Sequence, residues 1–227
     1  MARAEKSGDN GQVTDREPWI RITRRAEELG LTVAPDLAES FANYVSLLAR
    51  WNRRINLTAL ALEPLSADAL DRLIMEPLAA ARLVLPTDRL LIDIGSGGGS
   101  PAIPLRLACP ALKLVMVESK TRKAAFLREA IRQLDLRDST VENCRLEELE
   151  SHSDLIEMSD VVSLRAVRLD LKILPSILAL IGKRGRIFRF HSRGNERSHD
   201  WLVGKAKSEF TWVLQSIGFG VEVISRP

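Results

Sequence analysis

The sequence of 227 residues holds only two cysteines, Cys109 and Cys144. Their spacing matches no metal motif, and two lone thiols suit a reducing compartment and exclude a disulfide framework. The three histidines, His152, His191 and His199, form no ligand pattern, so no metal is expected. Long apolar runs are also missing. The longest candidate, Ile173 to Ile181, is interrupted by Pro175 and is far short of the roughly 18 residues a membrane span needs. The first residues (MARAEKSGDNGQ) contain no apolar stretch of the secretory kind. No membrane association is therefore expected, and the expected location is the cytoplasm.

What is present is an ordinary globular composition, with 45% hydrophobic and 28% charged residues. The net charge is only +3, but it is unevenly placed. Eight of the 33 basic residues lie between Lys183 and Lys207, against two acids, Glu196 and Asp200. Such a segment is either a contact for a polyanion or a solvated loop, and charge alone does not separate the two.

Polar residues 1–16 read as a disordered tail. From Trp19 a helical pattern runs through Ile20, Ile22, Ala26 and Leu29 to Gly30, a C-cap. A second helix over Pro35–Arg53 puts Leu37, Phe41, Tyr44, Val45, Leu48 and Trp51 on one face, and a third covers Ala67–Leu83. Residues 17–85 thus form a small helical lobe. After Pro86, short apolar runs alternate with helices: strands at Leu90–Ile94, Lys113–Val117, Ser139–Asn143, Asp160–Leu164 and Gly185–Phe190, helices at Pro101–Ala108 and Arg122–Leu134. Alternation of this kind implies an α/β domain over residues 86–227 with a mostly parallel sheet. No closing strand is evident in Trp212–Pro227.

The strongest local signal is the turn after the first strand. Asp93 is followed by Gly95, Gly97, Gly98 and Gly99, then by Ser100, a candidate helix cap ahead of Pro101. Glycines are needed where a chain turns sharply or a ligand must approach the backbone. The dinucleotide fingerprint would want Gly or Ala at Ser100, so an NAD site fits poorly. The G-x-G-x-G spacing behind an acid resembles motif I of class I S-adenosylmethionine (SAM) methyltransferases. Glu118, ending the second strand, could accept the two ribose hydroxyl hydrogens of an adenosine, or be an ordinary helix-start acid. Arg165, ending the fourth strand, could hold a carboxylate or a phosphate, or form a structural ion pair.

Several segments together resemble one family. Trp51-Asn52-Arg53-Arg54-Ile55-Asn56-Leu57-Thr58 is similar to the W-N-x-x-x-N-L-T segment of RsmG, the glucose-inhibited division protein B family. Asp93 to Leu105, Glu118-Ser119 with Arg122-Lys123 and Phe126-Leu127, Arg145 to Glu148 and Leu164-Arg165-Ala166 resemble further motifs of that family. Two features depart from it. The stretch Arg72 to Pro77 lacks the histidine and the serine of the family's His-x-x-[DE]-S, and His191-Ser192 follow Phe190 where Lys-Gly is common.

The resemblance implies a Rossmann-like class I methyltransferase fold and SAM-dependent methylation of guanine N7 in 16S rRNA near the decoding centre. It places cofactor contacts on Gly95, Ser100, Leu146, Glu147 and Arg165, beside Asp93, Gly97 and Glu118 from the residue-level reading. The implied partner is 16S rRNA or the 30S subunit, met by a monomer. Arg53, Arg54, Arg189, His191 and Arg193 are candidate RNA contacts. Aromatics are only 5% of the chain, so phosphate contacts weigh more than stacking. Phe188 and Phe190 are expected in the core, as is Trp51, while Asn56 and Thr58 are expected to shape the turn leaving the second helix. No catalytic side chain is expected, because N7 carries no proton. A diverged paralogue with another substrate and a non-catalytic RNA-binding relative fit the same residues.

Overall fold

The computed structural model describes residues 12–149, 153–167, 173–191, 213–216 and 220–225. Five parallel strands form the centre of the fold: β1 (Leu90–Ile94), β2 (Lys113–Val117), β3 (Ser139–Glu142), β4 (Ser159–Arg165) and β5 (Ile181–Phe190). A C-terminal pair, β6 (Val213–Ser216) and β7 (Val221–Ser225), adds on antiparallel, giving the order β3-β2-β1-β4-β5-β7-β6. The sequence reading missed both closing strands. An antiparallel edge pair has no long apolar run to announce it, and β7 carries Glu222 as its second residue.

Period-two alternation sorts the strand side chains onto two faces. Leu91, Leu114, Met116, Val161, Phe188 and Phe190 belong to one core. Ile92, Ile94, Val115, Val117, Val162, Leu164 and Ile187 belong to the other. Phe188 and Phe190 are fully enclosed, as expected.

The helical segments supply the cover. α1 (Gln12–Glu28) begins within the stretch expected to be disordered. α2 (Pro35–Asn52) starts on a proline at N1, where a missing N–H costs nothing. Its Phe41, Tyr44, Val45 and Leu48 recur at three- and four-residue steps and enter the first core. Trp51 sits at the edge of that core, its ring 5.8 Å from that of Phe126 in an edge-on contact. α5 (Ala102–Ala108) and α6 (Thr121–Gln133) follow β1 and β2, while α7 (Leu146–Leu149) and α8 (Leu174–Leu180) pack on the second face. Lobe and sheet share one core rather than meeting across a polar seam.

The third expected helix is interrupted. α3 (Ala67–Leu70) passes into a π-helical turn, Asp71–Met75, before α4 (Glu76–Ala81). Pro77 has no N–H to offer the carbonyl of Leu73, four residues back. The hydroxyl of Ser100 takes that role, donating to Leu73 O at 3.1 Å. Ser100 is therefore not the cap of α5, which has no side-chain cap bond.

Candidate active site

The strand order reverses between β1 and β4, and in sheets of this kind a ligand crevice opens there, at the carboxyl ends of the strands. The turn after β1 is fastened on several sides. Gly95 and Ser96 donate backbone N–H to Val117 O at 2.9 and 3.1 Å. Tyr44 Oη donates to Gly98 O at 2.7 Å, tying α2 to the turn. Gly97 N–H donates to Glu118 Oε2 at 2.9 Å, and Lys120 N–H to Glu118 Oε1 at 2.8 Å. The glycines serve different ends. A side chain at Gly99 would lie 2.5 Å from Ile103, so that glycine serves packing. At Gly97, where φ is +52°, a side chain would point into space shared with Lys123 Nζ, 3.8 Å away.

Asp93 is buried on β1 beside Ser163 of β4, which donates to its Oδ1 at 2.5 Å. Its Oδ2 has no hydrogen-bond partner among the described residues. Burial pushes the Asp93 carboxyl up to about 6, with the Ser163 hydrogen bond opposing. Burial likewise raises the Tyr44 phenol, so that side chain stays a neutral donor.

Above the turn lies a cavity of about 480 Å³. Its floor is Gly95–Gly98 and Ser100; its walls include Leu48, Leu57–Leu60, Arg72, Leu73, Lys123, Arg165 and Ala166. Arg165 Nη1 donates to Glu76 Oε2 at 2.7 Å, and its guanidinium lies 4.9 Å from the centre of the Phe190 ring. Among the described residues, Arg165 Nε and Nη2 are buried without partners. Burial is the main cause lowering the Arg165 pKa; Glu76 opposes it, and neighbouring Arg72 adds to it. The loop Leu57–Leu60 is shaped by Asn52, whose Oδ1 accepts from Leu57 N and Thr58 N at 2.9 and 3.0 Å. Asn56, expected in that role, is exposed, while Thr58 Oγ1 accepts from Leu60 N at 3.1 Å.

Of the sequence-predicted cofactor residues, the fold brings Gly95, Gly97, Ser100 and Arg165 into the cavity wall. Asp93 lies beneath it, and Glu118 is bound to its floor through Gly97. Leu146 and Glu147 stand apart on α7, the first buried and the second exposed. Among the basic candidates, Arg54 is exposed and Arg53 is exposed while paired with Glu63. Arg189 and His191 are instead largely buried against Glu222 of β7, at 3.3 and 3.1 Å. Arg193 and the basic residues beyond it lie outside the described residues. The sequence reading did not assign Arg72, Lys123 or Leu57–Leu60 to a site, although Lys123 and the N-L-T segment stood in the quoted motifs.

Comparison with known proteins agrees with this geometry. The family model GidB, described as rRNA small subunit methyltransferase G, matches residues 37–219. A protein of Roseiflexus sp. (strain RS-1) called Ribosomal RNA small subunit methyltransferase G is 38% identical over 166 residues, covering 73% of this chain and 70% of that protein. One of the same name from Stenotrophomonas maltophilia (strain K279a) is 43% identical over 124 residues, 54% of each chain. The aligned part thus ranges from about half to about two thirds of these relatives' length. Among solved structures, a methyltransferase from Geobacter sulfurreducens superposes with a TM-score of 0.56 at 16% identity, covering 91% of this chain and 96% of that one. A SAM dependent methyltransferase from Aquifex aeolicus gives 0.54 at 13% identity, over 71% of this chain and 93% of that one. These likenesses carry the fold, a class I Rossmann-like sheet flanked by helices.

Proposed function

The chain belongs to the rRNA small subunit methyltransferase G family, and from that premise we propose that it methylates N7 of a guanine in 16S rRNA, with SAM as methyl donor, in the cytoplasm. The observation that carries this reading is the cavity over the glycine turn, where two buried N–H groups of Arg165 have no partner among the described residues.

The residues fit the cofactor. Gly97 leaves open the space that a side chain would fill. Each oxygen of Glu118 accepts one backbone N–H and retains a lone pair for a ribose hydroxyl. Arg165 Nη2 is available to the methionine carboxylate. Leu146 and Glu147, on α7 beyond β3, would flank the adenine. Bound there, SAM supplies a methyl group already activated by the sulfonium.

The protein's own task is then positioning. Guanine N7 has an in-plane lone pair and no proton to lose, so no general base is required. Leu48, Leu57, Leu60 and Leu73 exclude water from the walls. Tyr44 and Glu118 hold the turn from opposite sides, which fixes the line along which N7 must approach. The buried Asp93 behind the turn would offset positive charge on the methyl donor and on the methylated base.

Incubation of 30S subunits with labelled SAM, followed by mapping of the modified base, tests the proposal. Label on one 16S guanine, at N7, is expected. Label confined to protein or small molecules, or none, would replace this reading with that of a diverged paralogue.

A further inference from the structure

The cavity carries more positive charge than a SAM site needs. Arg72, Lys123 and Arg165 all line it, and among the described residues no carboxylate lines it, Asp93 and Glu118 lying beneath and beside its floor. Glu76 answers Arg165 from behind the wall. Arg72 has no such answer: its Nε is buried without a partner, and its side chain forms no hydrogen bond or ion pair among the described residues. It is close enough to Arg165 to depress the latter's proton affinity. Two neighbouring guanidiniums in a partly buried wall repel unless an anion joins them. The reaction itself brings none, since its positive charge only moves from sulfur to the guanine ring.

The methionine carboxylate provides one anion, and the buried nitrogens of Arg165 match it. A second must arrive with the other substrate, and the anion every RNA strand carries is its phosphate. We infer that Arg72, with Lys123 as a second cation on the wall, receives a backbone phosphate of the strand that delivers the target guanine. The π-turn is what makes this possible. It presents Arg72 across from the glycine turn, with the Arg72 carbonyl 3.4 Å from Ser100 Oγ. A partly buried arginine there would fix the register of the strand as the base enters, while exposed Arg54 touches backbone farther out. This inference rests on the proposed rRNA substrate.

The test measures binding of 16S rRNA to the full chain with S-adenosylhomocysteine bound, over a series of salt concentrations. Calorimetric SAM affinity is measured in parallel. Arg72→Gln is expected to weaken RNA binding tenfold or more, to lower the log–log salt slope by about 1, and to leave SAM affinity within about twofold. Arg72→Lys is expected to keep the slope and lose at least about threefold in affinity with the bidentate fork. Unchanged RNA affinity and slope in Arg72→Gln overturn the inference. So does a tenfold loss of SAM affinity with RNA binding intact, which would give Arg72 to the cofactor carboxylate. Retained SAM binding shows that the variant folds. Should it not fold, Arg72→Lys decides, and full RNA affinity there counts against the anchor. A wild type that binds RNA but transfers no methyl refutes the proposed reaction, and the binding series still judges Arg72.

Discussion

The hydroxyl of Tyr44 donates to the carbonyl of Gly98 at 2.7 Å, joining the second helix of the lobe to the turn on which the cofactor would rest. The bond is part-buried, so removing its donor leaves the Gly98 carbonyl without its protein partner at the edge of the cavity. Tyr44→Phe should cost about 1–2 kcal/mol of stability in denaturant unfolding. It should also weaken SAM binding several-fold, because the turn loses its tie to the second helix. A variant that is less stable but unchanged in SAM affinity would show that the lobe only covers the sheet.

Ser100 and Pro77 form a compensating pair. The proline withholds an N–H from Leu73 O, and the serine replaces it. Ser100→Ala alone should destabilise by about 1–2 kcal/mol. Pro77→Ala restores a local donor, so Ser100→Ala in that background should cost visibly less. A double-mutant cycle measures the coupling, and strict additivity would dissolve the pair.

Asp93 gives a pH dependence of defined sign. Its folded pKa of about 6 lies above the ordinary carboxylate value, so the folded state prefers the neutral acid. That preference favours folding below about pH 4 and is lost as pH rises through 6. Relative to Asp93→Asn, the wild type should therefore lose on the order of 2–3 kcal/mol between pH 4 and pH 6.5. Paired unfolding curves across that range check it; parallel curves would mean that the carboxyl titrates normally. SAM affinity should rise over the same interval, as the charge that attracts the sulfonium appears.

Gly97 and Gly99 should separate binding from packing. Gly97→Asp places a side chain in the cavity at positive φ and should abolish SAM binding at a cost of about 1–3 kcal/mol in stability. Gly99→Ala meets Ile103 and should lower the melting temperature first. Reversed outcomes would assign the two glycines the opposite way.

Strands β1 and β2 were legible residue for residue, because buried parallel strands are short apolar runs bounded by turn residues. The glycine turn was legible for the same local reason. The π-turn was not: a π-helical insertion leaves the apolar spacing nearly helical, and only Pro77 hints that a carbonyl lacks its partner. The Ser100 hydroxyl therefore went to a distant carbonyl instead of the nearer helix start. Arg72 and Arg165 become neighbours only when α4 folds over β4, with Glu76 on Arg165 as the link. Arg189 and His191 look like free surface cations in sequence, yet Glu222 on the unforeseen β7 takes both.

The most direct test of the account is a crystal structure with S-adenosylhomocysteine. The methionine carboxylate should lie on Arg165, the ribose hydroxyls on Glu118 and the sulfur against Gly97. A ligand bound away from the turn, or a turn closed by the protein's own side chains, would contradict it.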